Sequence, residues 1–187
     1  MAYETEHIEA KLRRWEAYLQ RFRLPDWEEL PDTGLRMVEV LPLIRGYLDY
    51  LPAELKDERQ VTAAAINNYV RLRAMPRPKM RRYYRVHLAY ILMICTLKQS
   101  LSLAMIRRLL PCDLDEAALR ERYEAYAGRC RRLTTDFARM GLESAVPVLE
   151  GHSGDESARI LIESAAIVSS FARLLAEKLL LLPGDNG

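Results

Sequence analysis

The sequence predicts an all-α protein of one or two domains, and three observations support this. Half of the 187 residues are hydrophobic, which is enough to build a core. Apolar residues recur at helical spacing along most of the chain. The 8 glycines and 9 prolines lie mostly between those periodic runs. We therefore expect helices throughout, separated by short connections.

Two helices are predicted before residue 50. The first has apolar residues at steps of four and three and ends before Pro25. Its apolar stripe consists of Ile8, Leu12, Trp15, Leu19 and Phe22. The second runs from about Met37 to Leu48, and Pro42 inside it predicts a kink or a later start. Both helices are assigned to a first domain, residues 1–112.

A third helix is predicted to begin at Thr62, whose hydroxyl suits an N-cap, and to end near Leu72. Helical spacing gives it an apolar face of Ala63, Ile66, Tyr69 and Val70. The opposite face holds Ala64, Asn67, Asn68 and Arg71. Because Asn pairs with adenine and Arg with guanine or phosphate, this polar face has the chemistry that reads a DNA major groove. The same composition is also typical of an ordinary solvated face.

Two further helices are predicted in the first domain, and the first of them should form its buried centre. Residues 86–97 are apolar almost all round, which is typical of a buried helix. His87 at its start is expected to pack or cap rather than to catalyse, because no acid lies near it in the sequence. Ser102 is predicted to cap a shorter helix that Pro111 ends.

Residues 113–187 are predicted to form a pair of helices. Seven residues keep the 4-3-4-3-4-3 spacing of a coiled coil, namely Leu119, Tyr123, Tyr126, Cys130, Leu133, Phe137 and Met140. A connection containing Pro147 is expected over residues 141–154, followed by a final helix from about Leu161 to Leu182. We expect this helical pair to form a homodimer interface, although packing of the two helices on each other or on the first domain also fits the pattern.

Charge is distributed unevenly along the chain. Residues 59–112 contain eleven bases and no acid, and the segments on either side are net negative. A patch of this kind attracts polyanions such as nucleic acids. The alternative is a basic face whose charge is neutralised by acidic neighbours within the fold or in a dimer.

A basic loop follows the polar helix directly. Pro76 and Pro78 exclude a helix there, and five bases and two tyrosines lie between residues 77 and 85. Since Arg and Lys neutralise phosphates and Tyr hydroxyls donate hydrogen bonds to them, residues 76–85 are suited to hold a DNA backbone. The alternative is a loop that only confers solubility.

The sequence carries no signature of an enzyme, a cofactor or a metal site. Nucleotide-binding loops, nucleophile motifs and zinc-binding histidine pairs are absent, and the cysteines and histidines are scattered. The unpaired cysteines favour a reducing compartment, so we expect a cytoplasmic protein. Charges within residues 159–182 argue against a membrane span. A small-molecule effector between the C-terminal helices is compatible with the sequence, but no residue marks its chemistry.

Several segments together resemble the DUF1836 family of bacterial proteins. They are residues 24–32 (LPDWEELPD), 66–70 (INNYV), 82–83 (RY), 87–90 (HLAY) and 97–99 (LKQ). The resemblance covers roughly residues 20–115, and the family is itself uncharacterised. Its middle part resembles the winged helix-turn-helix of MerR-type regulators. The resemblance therefore implies a MerR-like winged helix-turn-helix core at about residues 60–112.

The resemblance also implies roles for individual segments. Residues 62–72 would be the recognition helix, and residues 76–85 the wing, of a transcriptional regulator that binds double-stranded DNA. The segment 81–83 resembles the Arg-x-Tyr phosphate contact of such wings. The implied DNA-binding residues are Asn67, Asn68, Arg71, Arg73, Lys79, Arg81, Arg82, Tyr83 and Arg85. The C-terminal stripe resembles, more loosely, the helices through which MerR proteins dimerise.

Two positions depart from that pattern. Arg73 stands where a glycine usually ends the recognition helix, and Tyr84 stands where a Ser or Thr usually caps the buried helix. Both departures favour an alternative function, that of a protein-interaction or ligand-sensing helical module that has lost DNA binding. Salt-dependent affinity for duplex DNA distinguishes the two functions.

Overall fold

The computed structural model describes residues 4–49 and 61–182. Over these residues the fold is all-α, as predicted, and pairing between extended segments is limited to two isolated β-bridges. The helices are α1 (Thr5–Arg21), α2 (Met37–Tyr47), α3 (Ala63–Arg71), α4 (Arg85–Leu97), α5 (Leu103–Leu109), α6 (Glu116–Gly151) and α7 (Gly154–Leu181). A single 3-10 turn, Trp27–Glu29, lies between α1 and α2. No helix in the described residues is both long and apolar enough to cross a membrane.

These helices divide between two compact units. The central unit comprises residues 23–49 and 61–130, and the helical unit combines residues 4–22 with residues 131–182. Helix α6 contributes its first turns to the central unit and its remainder to the helical unit. The predicted boundary between residues 112 and 113 therefore falls inside the central unit, where Leu119 and Tyr123 of α6 are completely buried.

Helix α4 forms the centre of the central unit. Nine consecutive residues, 87–95, are buried, as expected for a helix that is apolar almost all round. Helices α2 and α5 pack against it. The hydroxyl of Tyr90 donates to the carbonyl oxygen of Pro111 at 2.7 Å, which satisfies the polar end of a buried ring.

The first part of α6 is held in the central unit by Tyr123. Its hydroxyl donates to the carbonyl oxygen of Pro25 at 2.8 Å, and its ring lies 5.9 Å from the ring of Trp27. One turn later the hydroxyls of Tyr126 and Thr96 share a hydrogen bond of 2.6 Å. The first half of the predicted coiled-coil stripe is therefore core rather than a free interface.

Helix α2 begins at Met37, so the later start considered for it is wrong. Pro42 lies inside the helix with an exposed side chain. Val40 and Ile44 on either side of it are completely buried. The packing of that apolar face keeps the helix intact although proline cannot donate a backbone hydrogen bond.

The helical unit consists of α1, the second part of α6, and α7. Trp15 of α1 meets Phe137 of α6 edge-on at 5.8 Å, and α7 contacts α1. The predicted connection over residues 141–154 is wrong, because α6 continues to Gly151 and α7 begins at Gly154. Ala145 and Leu149 are buried on either side of Pro147, and this packing outweighs the hydrogen bond that the proline cannot donate.

Candidate nucleic-acid interface

Helix α3 presents the predicted polar face on the surface of the central unit. Thr62 caps the helix as predicted, its hydroxyl accepting the backbone N–H of Ala65 at 3.1 Å. Because Ile66 and Tyr69 are buried, the opposite side of the helix is accessible. There Asn67 and Arg71 are exposed and Asn68 is half-buried. The guanidinium of Arg71 donates to the Asn68 amide oxygen at 2.7 Å, which holds the two side chains together as a polar pair.

Arg73 forms the end of α3 in a left-handed conformation, with φ of 54°. Its N–H donates to the Val70 carbonyl at 3.1 Å, and the N–H of Ala74 donates to the Tyr69 carbonyl at 2.8 Å. This is the Schellman pattern, in which glycine is usual. The end of α3 thus has the usual Schellman geometry although Arg73 replaces glycine. The left-handed conformation of Arg73 costs about 1 kcal/mol of folding free energy. The side chain of Arg73 is exposed and adds a positive charge beside the polar face of α3.

The predicted wing contains a tight turn at residues 79–82, which we call the basic turn. Lys79 and Arg82 form an isolated antiparallel bridge, and the Arg82 N–H donates to the Lys79 carbonyl at 2.9 Å. Between them, Met80 and Arg81 have φ values of 49° and 60°. Two consecutive positive φ values are the mark of a type I′ turn, which normally uses Asn and Gly.

The base of the basic turn is fixed to the segment before α2. Tyr83 and Leu35 exchange two backbone hydrogen bonds of 2.8 Å. The guanidinium of Arg82 donates to the Gly34 carbonyl, also at 2.8 Å. A Cβ at Gly34 would lie 2.9 Å from the Arg82 side chain and 3.0 Å from the Tyr84 ring, so only glycine fits without displacement. The turn is therefore anchored to the central unit rather than being a loose loop.

His87 ties the loop before the basic turn to the start of α4. Its Nδ1 accepts the backbone N–H of Tyr84 at 3.1 Å, and its Nε2 lies 3.1 Å from the carbonyl oxygen of Arg77. Because a carbonyl oxygen only accepts, Nε2 carries the proton and the imidazole is neutral. His87 thus replaces the Glu or Gln of a capping box and compensates for Tyr84, which offers no side-chain cap. The predicted packing and capping role of His87 is confirmed.

Acidification through about pH 6.5 is expected to weaken the fold through His87. Burial lowers the pKa of His87 from its ordinary value of 6.5, so the unfolded chain takes up this proton first. Stabilisation by the neutral imidazole is complete above that pH and is lost as the pH falls through the lowered folded pKa. The measurement is the free energy of unfolding in urea at several values between about pH 8 and about pH 5.

The matched variant for this measurement is His87→Gln, which keeps an acceptor for the Tyr84 N–H but does not titrate. Its free energy of unfolding should decline less than that of the wild type over the same pH range. Parallel pH profiles for the two proteins would show that His87 does not couple protonation to folding.

The predicted DNA-binding residues separate into a surface group and an internal pair. The surface group comprises Asn67, Asn68, Arg71, Arg73, Lys79, Arg81 and Arg82. Tyr83 is buried, with its ring 5.8 Å from that of His87. Arg85 is mostly buried, pairs with Glu28 at 3.0 Å and lies over the ring of Trp27. The structure thus gives Tyr83 and Arg85 partners within the central unit, and Tyr83 anchors the basic turn through its backbone pairing with Leu35.

Nine of the ten described bases in the acid-free stretch lie beyond ion-pair distance of any carboxylate among the described residues. The structure describes ten of its eleven bases, and Arg59 lies outside the described residues. Within residues 4–49 and 61–182, Arg85 alone among the ten is within ion-pair distance of a carboxylate. Asp32, Asp113 and Glu116 nevertheless line a cleft together with Arg77 and Lys79, so carboxylates of the same fold do lie near part of the basic stretch. Over the same residues, no cluster of His, Cys, Asp or Glu is arranged to hold a metal ion.

Three residues of this region were not singled out from the sequence. Gly34 provides the space and the carbonyl that Arg82 needs, and Arg77 provides the carbonyl that His87 holds. Met80 occupies the tip of the basic turn. No local signal marks them, since the first two act through contacts distant in sequence and the turn lacks the usual Asn-Gly pair.

A comparison with known protein families identifies the central unit. The DUF1836 family, described as a domain of unknown function, matches residues 25–127. This range nearly coincides with the compact unit of residues 23–130. The chain matches no curated protein and no solved structure. Since the match covers more than half of the chain, the protein belongs to the DUF1836 family.

Proposed function

We propose that the protein is a DNA-binding transcriptional regulator, with α3 as its recognition helix and the basic turn as the tip of its wing. The observation that carries this proposal is the group of exposed side chains on α3 and the basic turn, whose cations have no carboxylate partner among the described residues. Unpaired cations on a fixed surface attract phosphates. The order of α3, basic turn, α4 and α5 supports a MerR-like winged helix-turn-helix for the central unit.

The geometry suggests different roles for α3 and the basic turn. Asn67 and the Asn68–Arg71 pair offer donors and acceptors on one helix face, as readout of base edges requires. Arg73, Lys79 and Arg81 are exposed and suit phosphates, which position a protein without reading sequence. Arg82 gives one donor to Gly34 and retains others, since a guanidinium carries five N–H groups.

The test is the affinity for duplex DNA as a function of salt, followed by selection of bound sequences from a random pool. The logarithm of the affinity should fall linearly with the logarithm of salt concentration, by about 0.9 for each phosphate contacted. Arg81→Ala should weaken binding to all sequences and reduce that slope by about 1, whereas Arg71→Ala should relax sequence choice. Arg14→Ala, which removes an exposed cation from α1 in the helical unit, is the control and should change neither. Absence of affinity for any duplex at low salt would overturn the proposal.

We further propose that the DNA-binding form is a homodimer, because the helical unit leaves a large apolar surface uncovered. Residues 162–175 of α7 are exposed on every side. The large exposed apolar side chains of this helix and its end are Ile162, Ile167, Val168, Phe171, Leu174, Leu175, Leu179, Leu181 and Leu182. Contiguous apolar surface of this extent marks an interaction site.

A second copy of α7 in the antiparallel direction suits this surface. The helix has 28 residues and is about 42 Å long, enough for a standard interface of roughly 800 Å² on each partner. Residues 155–163 carry three acids and one base, and residues 173–178 carry two bases and one acid, with no charge between them. An antiparallel pair brings these opposite net charges together. Its two-fold axis relates two recognition helices, as binding to paired half-sites requires.

The exposed α7 also favours a second candidate function, that of a module that binds another protein and not DNA. If the module senses a small ligand, the ligand could bind in a cleft of about 370 Å³ beside the wing. This cleft is lined in part by Arg77, Tyr84 and His87. The salt-dependence experiment separates the two functions, because only the DNA-binding protein should show affinity that falls steeply with salt.

A further inference from the structure

Met80 is energetically unfavourable at the tip of the basic turn in two respects. Its side chain is 97% exposed, more than any other large hydrophobic residue that the structure describes. Its φ of 49° lies in the left-handed region, which disfavours any residue with a Cβ. Glycine or asparagine would remove the exposed apolar group and reduce the strain. Strain that a folded chain retains at such a position is characteristic of functional sites.

The surroundings of Met80 present its side chain outward. The turn cannot collapse onto the fold, because its base is fixed by the Tyr83–Leu35 hydrogen bonds and by the contact of Arg82 with Gly34. Lys79 on one side and Arg81 on the other are both exposed. The tip is therefore a flexible apolar side chain between two cations on a fixed support.

We propose that Met80 is a wedge that enters the minor groove of DNA held by the basic turn and partly unstacks one base step. This inference rests on the proposed DNA-binding function and assigns a contact residue that the sequence did not suggest. Proteins that bend DNA insert apolar side chains, methionine among them, between base pairs while neighbouring cations hold the groove. Lys79 and Arg81 are placed to neutralise the phosphates on the two sides of that groove.

The wedge has two measurable consequences for the DNA. The duplex bends at the contacted step by an amount in the range of about 20–90°. Sequences with a flexible pyrimidine–purine step at that position bind best, because such steps unstack at the lowest cost. Because backbone contacts alone can also bend deformable DNA, the distinguishing result is a bend at one step that disappears with the Met80 side chain.

The test compares Met80→Gly and Met80→Leu with the wild type on a duplex taken from the selection described above. Bending is measured by energy transfer between dyes at the duplex ends, alongside affinity at several salt concentrations. Met80→Gly should melt at a higher temperature than the wild type, lose the bend, and bind roughly five- to a hundredfold more weakly with an unchanged salt slope. Met80→Leu should retain the bend.

The matched control is Arg73→Gly, which relieves a similar left-handed conformation but removes a cation instead of an apolar group. It should also raise the melting temperature, but reduce the salt slope by about 1 and leave the bend intact. If the wild type binds and Met80→Gly still bends the duplex, the wedge is overturned and the DNA-binding function stands. If the wild type binds no duplex, both are overturned.

Discussion

Replacing both Phe171 and Leu175 by aspartate is expected to convert the protein to a monomer without unfolding it. These side chains are 69% and 59% exposed in the single chain, so the substitutions remove little internal packing. In the proposed dimer these side chains are covered, so each new carboxylate would be buried without a partner. Burying each one costs roughly several kcal/mol of dimerisation free energy. Sedimentation should show a fall from twice the mass of the chain to the mass of one chain, with an unchanged circular dichroism spectrum.

The control for this variant is Ala166→Asp, which adds a charge to the same helix on the side opposite Phe171 and Leu175. It should remain dimeric. The monomeric variant should also lose about 10²- to 10⁴-fold in affinity for a duplex with two half-sites, because the second contact is no longer intramolecular. A wild-type protein that sediments as a monomer at all concentrations would contradict the proposed dimer.

Truncation of Tyr123 to alanine is expected to cost about 3–5 kcal/mol of unfolding free energy. The ring is completely buried beside Trp27, and its hydroxyl is the partner of the Pro25 carbonyl. Its loss leaves a cavity and an unsatisfied acceptor. Since small domains are stable by about 5–15 kcal/mol in total, the remaining stability should be low. Tyr123→Phe keeps the ring and should cost about 1 kcal/mol.

Leu133→Ala provides the comparison from the same apolar stripe of α6. Leu133 lies ten positions further along the helix and is 66% exposed, so its truncation should cost less than about 1 kcal/mol. The measurement is urea unfolding at low protein concentration, where association contributes least. Equal costs at the two positions would mean that the stripe does not divide into a buried and an exposed half.

Periodic patterns predicted most of the helices well because most of them bury at least one face in their own unit. Thr62 and Ser102 cap α3 and α5 as predicted, since a cap depends on residues only three positions apart. The apolar run that predicted α4 as the buried centre likewise needs no distant information. The polar and apolar faces of α3 also have the predicted exposures.

Features that depend on distant contacts were not predictable in this way. Pro147 and the neighbouring glycines predicted a connection, whereas burial of Ala145 and Leu149 keeps α6 continuous. The internal position of Arg85 depends on Glu28, which is 57 residues away. The basic turn depends on the pairing of Tyr83 with Leu35, and it lacks the glycine or asparagine by which such a turn is usually predicted from sequence. For the candidate site, the sequence therefore predicted the polar helix and the charge but not the geometry of the turn.

Because α7 is exposed, the stability and the DNA occupancy of the proposed dimer should depend on the concentration of the protein. Every residue of the helix from 162 to 175 is exposed, and a helical segment that buries no face is only marginally stable. Under the proposed pairing, mass action makes the melting temperature rise with concentration. Below the dimer dissociation constant, occupancy of a two-half-site operator then grows with the square of the chain concentration. The protein concentration at which the operator becomes occupied would thus be set by apolar side chains of α7 that do not touch DNA.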